Sequence, residues 1–194
     1  MLGIVLCGGQ SLRMGTDKGL LRYQDKLWAI LAEDKLRSIG LDVKFSINPH
    51  QQGKYINYFQ EAQLIIDDPS LDLNGPLLGV LSAHLENPDK NLFLLACDML
   101  LMESSMLGKL KEVITADDSF DAYAYTRDGQ QEPLCGIYTS TGLKKILNLL
   151  QTGKLIRHSM KFMLSTLKVC EISVANQDYR SFENFNSHAE INGL

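Results

Sequence analysis

Seven residues near the start of the chain have types and spacing that could do chemistry. Gly8, Gly9, Ser11, Arg13, Gly15, Asp17 and Lys18 follow an apolar run over residues 1–6. Consecutive glycines let a backbone approach an anion closely and aim several N–H groups at it. Arg13 and Lys18 add positive charge suited to phosphate oxygens. Two familiar phosphate loops do not fit. The pattern G-x-G-x-x-G fails because Gln10 and Ser11 stand two residues after Gly8 and Gly9. The pattern G-x-x-x-x-G-K-[ST] fails because the count lands on Arg13 or Met14, and Thr16 and Asp17 separate Gly15 from Lys18. A Gly-Gly pair alone reads as a turn. With Ser, Arg, Gly, Asp and Lys packed behind a buried strand, the stretch reads as a phosphate cradle of another geometry.

Asp98 is the second candidate, closing the apolar segment LFLLACD. A carboxylate at a strand end can hold a hard cation against substrate phosphates, because Mg2+ keeps its waters and takes only one or two carboxylates. An aspartate there can equally cap the following helix. The cysteines Cys7, Cys97, Cys135 and Cys170 form no metal-ligand spacing and read as reduced thiols in apolar runs. His50, His84 and His158 read as surface or packing residues.

The elements that must position these groups are short apolar runs separated by helical patterns. Strands are expected over residues 2–7, 42–48, 62–68 and 91–99, with helices over 26–40 and after the turn NGP. The later half reads as strands AYAYT, LCGIYTS and KVCEISV around a helix TGLKKILNLL. Residues 153–164 mix basic and apolar positions in a helix-like stretch that includes Arg157. Strands alternating with helices indicate a doubly wound, mainly parallel α/β sheet. Ligands of such sheets bind beyond the carboxyl ends of the parallel strands. The glycine stretch, Asn48, Asp68 and Asp98 each follow an expected strand, so the fold would align them on one rim.

Composition agrees with one ordinary globular domain over residues 1–194: 45% hydrophobic, 22% charged and a net charge of −4. That charge excludes a general nucleic-acid binder, although the first 58 residues carry a slight basic excess. No apolar stretch reaches the roughly 18 residues of a membrane span, and no basic segment precedes the first apolar run. The expectation is a cytoplasmic protein with neither membrane nor nucleic-acid partners.

The segment LCGGQSLRMGTDKGLL resembles the L-x-G-G-x-S-x-R-M-G-x-D-K signature of the molybdenum cofactor guanylyltransferases, the MobA family of nucleotidyltransferases. The likeness continues in order through FSINPHQ, LIIDD, NGPLLGV, LLACDM, EPLCGIY and NFNSHAEI. It implies a three-layer Rossmann-like fold of the nucleotide-diphospho-sugar transferase kind. It implies transfer of GMP from GTP to the terminal phosphate of molybdopterin or Mo-molybdopterin, with pyrophosphate released. By the same resemblance Leu6, Cys7 and Gly8 line the nucleoside side, and Gly9 through Gly15, with Ser11 and Arg13, wrap the phosphates. Lys18 neutralises triphosphate charge, Asn48 and Asp68 contact the nucleoside, and Asp98 holds Mg2+. Asn184 and Asn186 match a C-terminal Asn pair near the cleft. Other proteins of molybdenum cofactor biosynthesis, and molybdoenzyme chaperones, are the implied protein partners.

The chain departs from the family pattern at Cys7 for Ala, at Ala96 and Leu100 for prolines, at Glu132 for His and at Ser187-His188 for Thr-Pro. Two enzymes of the same fold compete with this reading, a cytidylyltransferase for the same cofactor and a sugar-phosphate nucleotidyltransferase. The doubled glycine favours guanine by resemblance. A non-catalytic nucleotide-binding module is disfavoured because both Lys18 and Asp98 are present.

Overall fold

The structure, a computed structural model, describes residues 1–8 and 17–185. Strand β1 (Leu2–Leu6) is followed, beyond the glycine stretch, by a 3-10 turn at Lys18–Leu20 and a small hairpin, β2 (Arg22–Tyr23) and β3 (Lys26–Leu27). Then come α1 (Trp28–Ser38), β4 (Asp42–Ile47), the single turn α2 (Gln52–Tyr55), β5 (Leu64–Ile66), α3 (Pro76–Glu86) and β6 (Leu92–Ala96). The second half runs α4 (Ser104–Ala116), β7 (Ala122–Arg127), β8 (Gln130–Tyr138), α5 (Ser140–Gln151), α6 (Met160–Ser165) and β9 (Val169–Ser173).

Seven strands form one sheet in the order β5-β4-β1-β6-β8-β7-β9. β8 runs against both of its neighbours, and every other pairing is parallel. Helices cover both faces, so the central strands are apolar on both sides. Along β1, Val5 joins the core under α1 and α4, while Ile4 and Leu6 join the core under α3 and α5. β6 divides the same way, with Phe93 and Leu95 on one face and Leu92 and Leu94 on the other. The mainly parallel, three-layer, doubly wound α/β reading is what the structure shows.

Several element boundaries differ from the expectations, each for a local reason. Lys26 and Leu27 pair with the hairpin, whose turn residues Gln24 and Asp25 have positive φ, and helix α1 starts only at Trp28. Residues 61–63 form a 3-10 turn before β5. The stretch 153–164 is not one helix. Gly153 takes a left-handed φ of 66° past α5, and the Ser159 hydroxyl accepts the Phe162 N–H to cap a separate helix at Met160. Arg157 lies in the irregular link between them. Among the described residues no helix is long and apolar enough to cross a membrane. Cys7, Cys97, Cys135 and Cys170 are free thiols.

Candidate active site

The strand order reverses at β1. The chain winds from β1 outward through β4 to β5, then α3 carries it back to β6 on the other flank of β1. A crevice opens beyond the strand ends at such a point, where ligands of open α/β sheets bind. Gly8 follows β1 and Asp98 follows β6, so the topology places both at that crevice. The Cys97 N–H donates to the Leu6 carbonyl at 3.2 Å, extending the pairing to the rim.

Lys18 and Asp98 meet there. The Lys18 Nζ donates to Asp98 Oδ2 at 2.8 Å, with the two side chains 23% and 17% exposed. The other oxygen, Asp98 Oδ1, is buried and has no hydrogen-bond partner among the described residues. The main chain of Asp98 is fastened from the far end of the protein, since the Phe185 N–H donates to its carbonyl at 3.0 Å. Lys35 of α1 adds a second clamp, its Nζ reaching the carbonyls of Met99 at 3.2 Å and Leu100 at 2.6 Å. Burial pulls the Lys35 ammonium down to about 8.

Asp17 anchors the segment that carries Lys18. Its Oδ1 accepts the Gly19 N–H and the Tyr55 hydroxyl, both at 3.0 Å, and its Oδ2 accepts Gln51 Nε2 at 2.6 Å. The same Gln51 amide nitrogen donates to the Cys7 carbonyl at 3.0 Å, and Gln51 Oε1 accepts the Asn48 N–H at 2.8 Å. One buried network thus ties the ends of β1 and β4 to the Lys18 turn. Gly19 is required by close approach: a Cβ there would stand 2.2 Å from the Tyr55 hydroxyl and 3.3 Å from Cys7 Cβ. Cys7 and Cys97 stand side by side beneath this turn. A thiol hydrogen bond between them and burial push Cys97 well above the ordinary thiol range.

On the β4–β5 side of Gly8 the rim is built by Ser46, Asp67 and Gly79. The Gly8 N–H donates to the Ser46 carbonyl at 3.1 Å. Asp67 Oδ2 lies 3.7 Å from where a Gly8 Cβ would be, and Oδ1 lies 3.3 Å from a Gly79 Cβ. Asp67 Oδ1 is also buried with no hydrogen-bond partner among the described residues, and burial raises this carboxyl to about 6. The Asn48 carboxamide oxygen accepts the His50 and Gln51 N–H groups, a turn that opens α2. Asp68 faces elsewhere. Its carboxylate accepts the Ser70 N–H at 2.8 Å, and hydrogen bonding to the Ser70 hydroxyl together with that N–H holds it below the usual carboxylate range.

A second recess lies beyond Asp98 under the antiparallel part of the sheet, lined by Met99, Arg127, Glu132, Lys161, Tyr179 and Asn184 among others. Arg127 pairs with Glu132 at 2.9 Å. Burial raises Glu132 above the usual carboxylate range, with Arg127 opposing the shift.

A family model described as the MobA-like NTP transferase domain matches residues 3–168. The chain belongs to this family. As a MobA-like transferase it is a nucleotidyltransferase, and several relatives match it over nearly their whole length. A protein of Geobacillus sp. named "Probable molybdenum cofactor guanylyltransferase" is 29% identical over 202 residues, spanning 100% of this chain and 97% of the relative. A protein of Methanothermobacter thermautotrophicus with the same name is 30% identical over 191 residues, spanning 96% and 95%. The solved structure of molybdopterin-guanine dinucleotide biosynthesis protein A from Archaeoglobus fulgidus superposes with a TM-score of 0.78 at 22% identity, covering 100% of this chain and 96% of that one.

The fold of this MobA-like transferase brings Gly8, Lys18 and Asp98 to one crevice, as the rim argument expects. Leu6 turns its side chain into the core under α3, so its backbone alone reaches the rim. Asn48 stands at the rim with its side-chain oxygen engaged in the α2 turn. Asp68 does not join the cluster, and Asp67 takes the place beside Gly8. Gly9, Ser11, Arg13, Gly15 and Asn186 lie outside the described residues. Sequence reading missed Asp67, Gln51 and Tyr55 as site residues. For Asp67 a signal existed: it is two residues beyond buried Ile65, and strand alternation places both on one face.

Proposed function

We propose that this chain transfers GMP from GTP to the terminal phosphate of molybdopterin, or of Mo-molybdopterin, and releases pyrophosphate. The observation that carries the reading is the Lys18–Asp98 pair at the topological switch point, with one Asp98 oxygen buried and unpartnered among the described residues. Relatives that match end to end and carry the guanylyltransferase name support the choice of donor and acceptor.

The acceptor phosphate oxygen is already anionic at neutral pH, so the enzyme need supply no nucleophile. A new bond forms between that oxygen and the α-phosphorus, and the bond from the α-phosphorus to the bridging oxygen of pyrophosphate breaks. Rate enhancement then rests on orientation and on charges placed where charge develops. Lys18 serves the phosphates, and Asp17, held by Gln51 and Tyr55, fixes the turn from which it projects. Arg13 adds charge at the loop, while Gly8, Gly9, Ser11 and Gly15 supply backbone approach and a hydroxyl.

The donor set fits a divalent cation. Asp98 offers a buried oxygen with no partner among the described residues, and Mg2+ takes one or two carboxylates with phosphate oxygens and water completing its shell. Bound there, the ion would neutralise the triphosphate and stabilise the departing oxygen. The recess beyond Asp98, with Arg127, Lys161 and Asn184 on its wall, is the proposed seat of the acceptor. Other proteins of molybdenum cofactor assembly and molybdoenzyme chaperones, in the cytoplasm, are the proposed partners.

The test is product identification. Incubation with GTP, Mg2+ and molybdopterin should yield one pyrophosphate per adduct, and the adduct mass should be that of the acceptor plus GMP less one water. Pyrophosphate without an adduct, or no turnover of GTP, would contradict the proposal.

A further inference from the structure

Lys35 of α1 is the charged group nearest the Asp98 loop that the proposed mechanism leaves unused. Its Nζ donates to two successive carbonyls, Met99 at 3.2 Å and Leu100 at 2.6 Å. No carboxylate among the described residues forms an ion pair with it, so this largely desolvated charge rests on backbone oxygens. Withdrawing an ammonium from water without a counter-charge lowers stability. Nor does the Met99 carbonyl depend on it, since the Met102 N–H also donates there at 3.2 Å. A charge kept at that cost is explained by what it holds in place. Helix α1 is itself fixed at both ends. Its first N–H, from Trp28, donates to the Leu21 carbonyl at 2.9 Å, beside the Lys18 turn. At its far end Ser38 Oγ donates to Ser104 Oγ of α4 at 2.9 Å, and Lys111 Nζ of α4 donates to the Ile39 carbonyl at 2.6 Å.

We infer that Lys35 is a positioning residue, orienting Asp98 for the divalent cation by clamping the two residues after it to α1. This inference rests on the nucleotidyl-transfer reading, in which the buried Asp98 Oδ1 receives the ion. Groups that orient a metal-binding side chain contribute about tenfold to a hundredfold to metal affinity. Asp98 is held at three points: Lys18 at its carboxylate, Phe185 at its carbonyl, and Lys35 on the residues that follow. Lys18 must turn to the phosphates once a nucleotide is bound, which loosens its hold as the ion arrives. Lys35 bonds to main chain and keeps its hold throughout. Charge alone argues the opposite sign. A second cation near the site repels the ion, so its removal would tighten binding. The direction of the change therefore separates positioning from charge.

The experiment measures Mn2+ affinity in the full-length protein saturated with α,β-methylene-GTP, from the EPR signal of the free ion, beside thermal melting. Lys35→Met keeps the apolar stem and removes the N–H donors. Lys35→Gln, neutral and one bond shorter, takes its place if the first does not melt cooperatively. The wild type should bind Mn2+ more tightly than the analogue does by itself. The folded variant should bind it about tenfold more weakly. The Mg2+ concentration for half-maximal pyrophosphate release should rise by the same factor, with KM for the pterin substrate within about twofold of wild type. In Asp98→Asn the Lys35 substitution should add little, because it acts through that carboxylate. Unchanged or tighter Mn2+ binding in a folded variant would overturn the inference. So would a further tenfold loss on top of Asp98→Asn. Both of those outcomes leave guanylyl transfer standing. A wild type that binds Mn2+ no better than the analogue alone removes the cation from Asp98, and this inference with it.

Discussion

Lys18 Nζ lies 2.8 Å from Asp98 Oδ2, joining the 3-10 turn that follows the glycine stretch to a residue eighty positions on, just beyond β6. The pair stands at the mouth of the crevice and is partly reached by solvent. In a pair this far withdrawn from water, desolvation offsets most of the attraction, so the pair is weak evidence for stability. The two charges therefore belong to what binds there. Lys18→Met and Asp98→Asn should each lower turnover by about two to three orders of magnitude, the scale of removing one charge-stabilising group. Melting temperatures should move by only a few degrees. Pyrophosphate release beside calorimetry checks both; a folded variant with near-normal turnover removes that residue from the mechanism.

Gly19 should not tolerate even a methyl group. Its Cβ would meet the hydroxyl of Tyr55, a fully buried ring with no room to retreat. Overpacking of this kind costs about 1–3 kcal/mol, and the displaced turn carries Lys18 with it. Gly19→Ala should lose both stability and turnover. Adding Tyr55→Phe deletes the clashing oxygen and should restore part of the stability. Because it also removes the bond to Asp17, turnover should recover less. Melts and kcat for the two single variants and the double variant separate these effects.

Lys35 gives a pH signature. Burial lowers its ammonium from 10.5 to about 8 in the folded protein, while the unfolded chain keeps the ordinary value. Between those values the unfolded state binds more protons, so this group makes stability rise with pH from about 8 to 10.5. Below pH 8 both states are protonated and the contribution is flat. Lys35→Met should abolish that rise. Denaturant unfolding at steps from pH 7 to 10.5, wild type against variant, measures it; parallel curves would show that Lys35 is not the group responsible.

The acceptor seat predicts a split in kinetic constants. Arg127 lines the recess beyond Asp98 and is paired to Glu132. Arg127→Ala should raise KM for the pterin substrate about tenfold or more and leave KM for GTP within about twofold. The reverse pattern would place the acceptor elsewhere.

Much of the sheet was legible because its central strands are buried on both faces. A run such as LFLLA allows few other readings, and the order of strands and helices then forces a crevice at β1 and β6. Asp98 could be anticipated because it closely follows such a strand, and Lys18 because it ends the glycine-rich stretch that leaves β1. What the sequence hid depended on a single backbone angle or a single residue of register. Gly153 breaks a helical pattern that periodicity alone would continue. Asp67 and Asp68 are chemically identical neighbours, and only the pleat of β5 decides which turns toward Gly8. Gln51 and Tyr55 sit in a one-turn helix whose worth is the network around Asp17, a contact spanning more than thirty residues.

The central claim is guanylyl transfer at the Lys18–Asp98 crevice. Pyrophosphate release should be followed with GTP, CTP, ATP and UTP in turn, with and without molybdopterin, in Mg2+ and in chelator, for the wild type and Asp98→Asn. The account predicts release with GTP, molybdopterin and Mg2+ together, and its loss in chelator and in the variant. Release with CTP in place of GTP, or no release with any of the four nucleotides, would contradict it.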